Sequence, residues 1–322
     1  MPISPSLSEA QPALRINRHR RLAWGVSLAA ALLSVLGMVL CWLDPAIRAP
    51  LRPGLDFTGG TQIQLERACT PACTPLATAT VQQQLERIPL PHDPGERAPN
   101  LGGVGIQILD NGASLLLRLP NLTADQSQAV VNDLAPVAGP FQPGGLSVET
   151  IGPTLGAQLL RGSLVSLLVS FVGIAIYIAF RYDRLFAFLA LFCLGHDVLI
   201  TAGLFAWLGL LRGVEVNSLF AVALLTVAGY SVNDTVVVFD RIREKRRLLA
   251  EESLEDQADA AVAATLTRSL YTSLTTLLPL LALLFFGGST LFWFALALAV
   301  GILVGTWSSI GIAPTLLPVL SR

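Results

Sequence analysis

The chain has 322 residues, 53% hydrophobic and 13% charged; a soluble domain carries about 25% charge, so a water-dissolved globule is excluded. With 21 Lys and Arg against 22 Asp and Glu, the net charge is -1, which leaves no basic surface for nucleic-acid phosphates. The few charges therefore act by position.

Residues 1–21 read as a tail carrying Arg15, Arg18, Arg20 and Arg21. The uncharged run Leu22–Leu43 is long enough to cross ~30 Å of hydrocarbon at 1.5 Å per residue. It exceeds the ~7–15 residue core of a signal peptide, and no A-x-A site follows it, so it reads as a retained anchor.

Residues 44–160 read as an inserted α+β domain. Thr61–Leu65 alternates like a strand, and Thr78–Ile88 suits a helix. Val104–Leu109 and Ser114–Leu119 suggest a hairpin around Asp110-Asn111-Gly112. Thr123 is an N-cap candidate for the helix Ala124–Val137, and Leu146–Ile151 is the last strand. The order β-α-β-β-α-β predicts a ferredoxin-like split unit with both helices on one face of an antiparallel sheet. Pro89–Gly105 is a Pro- and Gly-rich loop. Cys69 and Cys73 stand four apart, open to a disulfide, to free thiols, or least of all to a metal, since no His or further Cys neighbours them. Cys41 and Cys193 lie in spans as small hydrophobes.

Residues 161–322 read as five further spans. Gly162–Phe180, Leu185–Leu211 and Val216–Phe239 are three of them. Ser269–Ser321 has no charge over about 53 residues, too long for one crossing, and Phe285-Phe286-Gly287-Gly288-Ser289-Thr290 splits it into two. Arginines precede the first span, Arg181 and Arg184 fill the next loop on that side, and Arg241, Arg243, Lys245, Arg246 and Arg247 follow the fourth span. By the positive-inside rule those loops and both termini are cytoplasmic, and the inserted domain lies on the opposite side.

Three ionisable residues interrupt the spans: His196, Asp197 and Asp234. A charge at bilayer depth costs at least ~2.5–3.5 kcal/mol, which makes Asp234 a proton-handling candidate against the plainer reading of an interfacial residue. Thr226, Tyr230 and Asp234 share one helical face, with Gly229 and Asn233 beside them. Arg268, Thr272, Thr276 and Pro279 form a second stripe, although Arg268 could simply reach for the membrane surface. His196-Asp197 is either a structural hydrogen-bonded pair or a relay. Gly301-x-x-x-Gly305, followed by Thr306, Ser308 and Ser309, reads as a close-packing face.

Several words carry a family resemblance. They are Gly54-Leu55-Asp56-Phe57-Thr58-Gly59-Gly60-Thr61 and Gly229-Tyr230-Ser231-Val232-Asn233-Asp234-Thr235-Val236-Val237-Val238-Phe239-Asp240-Arg241, with His196-Asp197-Val198, Arg268-Ser269, Thr272-Ser273 and Thr275-Thr276. From Leu22 onward the chain resembles the SecF family, whose members are the smaller partners of SecD in bacterial protein export and look like half-sized relatives of resistance-nodulation-division transporters. The short insert favours SecF over SecD. The resemblance implies a multi-pass protein of the bacterial inner membrane, acting beside SecD and the SecYEG translocon on unfolded polypeptide, driven by the proton motive force. It implies a proton-coupling group of Asp234, Arg268, Asn233 and Thr235, with His196, Asp197, Thr272 and Thr276 as relay or structural residues. Gly54, Asp56, Gly59 and Gly60 would transmit motion from the first span to the inserted domain. Lys245 departs from the family pattern, where Asn is expected, and the segments 69–73 and 89–105 look inserted. No catalytic residue, cofactor, metal or nucleic acid is expected. Two rival readings remain: a passive scaffold of the translocon, and an intramembrane aspartyl protease using Asp197 and Asp234.

Overall fold

The computed structural model describes residues 15–69, 73–92, 98–102, 104–109 and 112–321, with residues 289 and 290 described by backbone only. Asp110 and Asn111 of the expected hairpin turn, residues 1–14 of the tail, and parts of the 69–73 and 89–105 segments lie outside the described residues. After a 3-10 turn at Asn17–His19, the elements are α1 (Arg20–Leu43), α2 (Leu55–Thr58), β1 (Gly60–Arg67), α3 (Thr78–Leu85), β2 (Gly105–Leu109), β3 (Ser114–Leu119), α4 (Ala124–Ala138) and β4 (Phe141–Ile151). Then follow α5 (Pro153–Arg181), α6 (Arg184–Arg212), α7 (Ser218–Leu248), α8 (Leu254–Phe286), α9 (Gly288–Gly311) and α10 (Ala313–Leu320). Two compact units result, one of residues 53–162 and one of the remainder.

Among the described residues six helical stretches are long and apolar enough to span a membrane, α9 and α10 counting together as the sixth. Several outrun their uncharged runs. α8 has 33 residues, about 50 Å against ~30 Å of hydrocarbon, so its charged first turns project beyond the bilayer. α5 likewise starts at Pro153, so residues 153–160, expected inside the inserted domain, are already helical. Proline at a first helical position has its φ preset and no N–H to lose there.

Small residues set the helix spacing. A Cβ on Gly203 would strike Ser34, and one on Gly37 would come within 2.7 Å of the Trp207 ring, so α1 and α6 meet at close range. Gly301 of α9 seats Val227 of α7 in the same way. Close backbone approach of this kind drives association where lipid is as apolar as leucine. The 3-10 turn is tied to α8 by Asn17, whose backbone N–H and Nδ2 both donate to Asp259 Oδ1 at 3.1 and 2.8 Å.

In the inserted unit the four strands form one antiparallel sheet in the order β2-β3-β1-β4. Thr61, Ile63 and Leu65 of β1 and Leu115 and Leu117 of β3 turn inward. The four apolar residues pack with Val81 and Leu85 of α3 and Val130 and Leu134 of α4. Thr123 caps α4 as expected, accepting from Gln126 N at 3.3 Å while Gln126 Oε1 accepts from Thr123 N at 3.0 Å, a reciprocal capping box. β4 starts five residues earlier than expected. A register shift between Leu65 and Arg67 lets Pro143, Gly144 and Gly145 pass at the edge before Phe141 pairs with Arg67. Cys69 and Cys73 are joined by a disulfide.

Arg67 is 5% exposed and forms no ion pair with a carboxylate among the described residues. Its guanidinium donates to the carbonyls of Ala138, Thr74 and Gly112 and to Thr74 Oγ1. One side chain thereby fastens the C-terminus of α4, the segment after Cys73 and the start of β3 to the end of β1. A buried acceptor left unpaired costs about 1–3 kcal/mol. Arg67→Met is therefore expected to destabilise the inserted unit by roughly 3 kcal/mol or more, read as faster hydrogen exchange of its sheet amides in the full chain.

Candidate functional site

The polar residues of the spans converge on the faces that α6, α8 and α9 turn toward α7. Asp197, fully buried on α6, is the most heavily bonded. Its Oδ1 lies 2.8 Å from His196 Nδ1, and its Oδ2 accepts from Ser231 Oγ of α7 at 2.6 Å and Ser308 Oγ of α9 at 2.7 Å. Gly305 makes this possible, since a Cβ there would stand 3.3 Å from Ser231 Cβ and 3.5 Å from Asp197 Oδ2. One turn further along α7, Thr235 Oγ1 meets Ser309 Oγ at 2.8 Å.

Asp234 is also buried, at 4% exposure, but its bonding is incomplete. Oδ1 accepts from Ser269 Oγ of α8 at 3.0 Å, while Oδ2 is buried with no hydrogen-bond partner among the described residues. Arg268, the residue before Ser269, is exposed and forms no ion pair with Asp234. Asn233 is exposed on another face of α7. Thr272 and Thr276 donate to the carbonyls of Arg268 and Thr272 one turn back, at 2.8 and 2.9 Å. Thr276 Oγ1 also meets Tyr230 OH at 3.1 Å, and Ser273 Oγ meets Thr306 Oγ1 at 2.6 Å.

The structure thus brings Asp234, Thr235, Asp197, His196 and Thr276 into one set of helix contacts and leaves Asn233 and the Arg268 guanidinium outside it. The donors Ser231, Ser269, Ser308 and Ser309 carry much of the bonding. Ser231 went unread as a site residue, although it stands three residues before Asp234, on the same side of α7. Asp197 and Asp234 accept from different serines and share no hydrogen bond, whereas an aspartic dyad needs carboxyls close enough to share a proton.

The glycine segment belongs to the inserted unit. Gly54 O accepts from Phe57 N, Thr58 N and Thr58 Oγ1 at 3.0, 3.1 and 3.1 Å, closing the single turn of α2, with Asp56 in that turn. Gly59 and Gly60 have φ of +70° and +123°. A Cβ on Gly59 would lie 2.9 Å from Pro153 Cα, and one on Gly60 2.7 Å from Leu119 O. No other residue type fits there, and the start of β1 is pressed against both the end of β3 and the first turn of α5.

Interhelical hydrogen bonds in membranes average about 0.6 kcal/mol with a maximum near 1.7. Asp197→Ala, which strands three partners, is expected to destabilise the bundle by about 2–4 kcal/mol, and Asp234→Asn by less than about 1 kcal/mol, in thermal scans of the solubilised chain.

The family described as protein export membrane protein SecD/SecF, C-terminal, matches residues 137–322, and the SecD/SecF GG motif matches residues 48–70. Protein translocase subunit SecF of Prochlorococcus marinus is 51% identical over 98% of this chain and 98% of its own length. The corresponding subunit of a Synechocystis species is 42% identical over 94% of this chain and 93% of its own. The crystal structure of SecDF, a translocon-associated membrane protein from Thermus thermophilus, matches with a TM-score of 0.78 at 32% identity. That match covers 96% of this chain but 39% of the SecDF chain, so this protein spans about two fifths of that relative. On this agreement along nearly its whole length, the chain belongs to the SecD/SecF family of protein export membrane proteins.

Proposed function

We propose that the chain acts as a SecF-type subunit that couples the proton motive force to late steps of protein translocation, together with SecD and the SecYEG translocon. The carrying observation is Asp234, a carboxylate inside a membrane span with one oxygen bonded to Ser269 and the other buried without a partner among the described residues. Ionised, such a group needs a further donor, cation or water; protonated, it rests in an apolar contact. Protonation therefore changes which packing of α7 against α8 is favoured, and about 2.3 kcal/mol per charge per 100 mV is available to drive the cycle. Arg268, adjacent to Ser269 and exposed, is the cation that approaches when a helix shift or a partner span encloses it. Asn233 and Thr235 flank the carboxylate, and Gly54–Thr61 passes the movement to the inserted unit.

The inserted unit is read as ferredoxin-like, a reading that the β2-β3-β1-β4 antiparallel order supports. We place it outside the cytoplasm of a bacterial-type inner membrane, with both termini inside, on the arginine distribution. The domain limits follow the sequence reading, 44–160 for the insert and 161–322 for the five-helix part, with the helix of the second span reaching back to Pro153.

The rival reading is a passive scaffold, favoured by the fully bonded Asp197 contact, which needs no proton to explain it. The two separate on one variant. Asp234→Asn is expected to retain membrane insertion and SecD association while abolishing the gradient-dependent part of export in sealed vesicles. Full gradient-dependent export by that variant would leave the scaffold as the better account. Topology is checked independently. Reporters fused after Arg184 and after Arg247 are expected to read cytoplasmic, and one placed within residues 101–120 extracytoplasmic.

A further inference from the structure

The ends of α5 and α7 enclose a cleft of about 430 Å³ that proton coupling does not use, lined by Arg181, Asp240, Arg243, Glu244, Arg247 and Leu248. Its cations are held in place but not saturated. The Arg181 and Arg243 guanidinium carbons lie 5.1 and 5.6 Å from the centroid of the Tyr182 ring. That ring is wedged against Phe186 and Phe239, at 6.4 and 6.3 Å between centroids. Burial, with the Asp240 carboxylate adding to it, pushes the Tyr182 hydroxyl up to about 12, so the platform under the arginines stays neutral.

Asp240 reaches both arginines only loosely, at 3.5 Å to Arg181 and 4.0 Å to Arg243, where a charge-assisted bond closes to about 2.7–2.9 Å. Glu244 is taken up by Arg241 at 2.5 Å. Arg247 is exposed and forms no ion pair among the described residues. The cleft therefore keeps an excess of positive charge and unfilled N–H donors.

Its level in the membrane identifies the ligand. Arg181 ends the uncharged run of α5, and Asp240 directly follows the span Val216–Phe239, which puts the cleft at headgroup depth. Leu248, 65% exposed, forms an apolar wall, and Phe180, 90% exposed, directly precedes Arg181. We infer that this cleft binds the phosphate of an anionic phospholipid, held by Arg181, Arg243 and Arg247, with an acyl chain running along the exposed apolar side of α5. A free phosphate would use the guanidiniums alone; the apolar wall beside them favours the lipid. Basic pockets between spanning helices hold anionic headgroups by this combination.

The test is native mass spectrometry of the purified full chain exchanged into phosphatidylglycerol or phosphatidylcholine. The wild type is expected to retain phosphatidylglycerol at least tenfold more strongly. Each arginine is worth about 1 kcal/mol, roughly fivefold. Arg247→Gln, a change at an exposed and unpaired residue, should thus lower retention about fivefold, and Arg181→Gln with Arg247→Gln more than twentyfold. Arg212→Gln, at the far end of α6, should leave it unchanged. The proposal is overturned by equal retention of the two lipids, or by full retention in the double variant. An equal loss in Arg212→Gln, which would mean diffuse attraction, also overturns it. So does displacement of the lipid by millimolar inorganic phosphate, which would mark a free-anion site, or by micromolar hexaglutamate, which would mark a surface for an acidic protein segment.

Discussion

A carboxylate buried between helices at bilayer depth finds its donors on neighbouring helices, and that constraint organises the membrane unit. Asp197 meets it in full. Its two oxygens take up His196, Ser231 and Ser308, and this requires α6, α7 and α9 to stand close together. The close approach in turn requires Gly301 opposite Val227 and Gly305 opposite Ser231. The glycines and the carboxylate are thus one device. Shape alone would let α9 slide against its neighbours, whereas hydrogen bonds between facing hydroxyls fix its register, Thr235 with Ser309 against α7 and Ser273 with Thr306 against α8.

The inserted unit solves the same accounting problem with the opposite charge. Three carbonyls and a hydroxyl at the meeting point of β1, the disulfide-bearing segment, β3 and α4 have no ladder partners, and the Arg67 guanidinium supplies them from one buried side chain. A planar fork of five donors suits that task as a lysine ammonium does not. At the other end of β1, glycines with positive φ take the chain through a gap too narrow for a Cβ.

The spans were legible because absence of charge marks hydrocarbon directly, and the inserted elements because alternation and caps mark strands and helix starts. Helix ends beyond the membrane were not. α7 and α8 continue through charged residues that a hydropathy reading counts as loop. Arg67 was missed for a related reason. The expected strand stopped at Leu65, short of the charged pair Glu66-Arg67, yet the alternation of Thr61, Ile63 and Leu65 already pointed residue 67 inward. The polar stripes of α7 and α8 were visible as faces. Which of Arg268 and Ser269 meets Asp234 was not, because adjacent residues differ by about 100° around a helix and only tertiary rotation decides between them.

The contrast between the two carboxylates also bears on which helix would answer a change of protonation. The most apolar stretches of α6 and α7 are each 56% buried, and that of the last span 50%, against 17% for α8. Moving α6, α7 or α9 would break the Asp197 contact and the seat of Val227 on Gly301. Moving α8 would give up the Ser269–Asp234, Tyr230–Thr276 and Ser273–Thr306 bonds but a less buried apolar stretch. A two-state change runs through the element that loses least between its states. In the proposed cycle, then, Asp197 holds the frame still and Asp234 releases or recaptures α8, with Arg268 carried on the helix that moves.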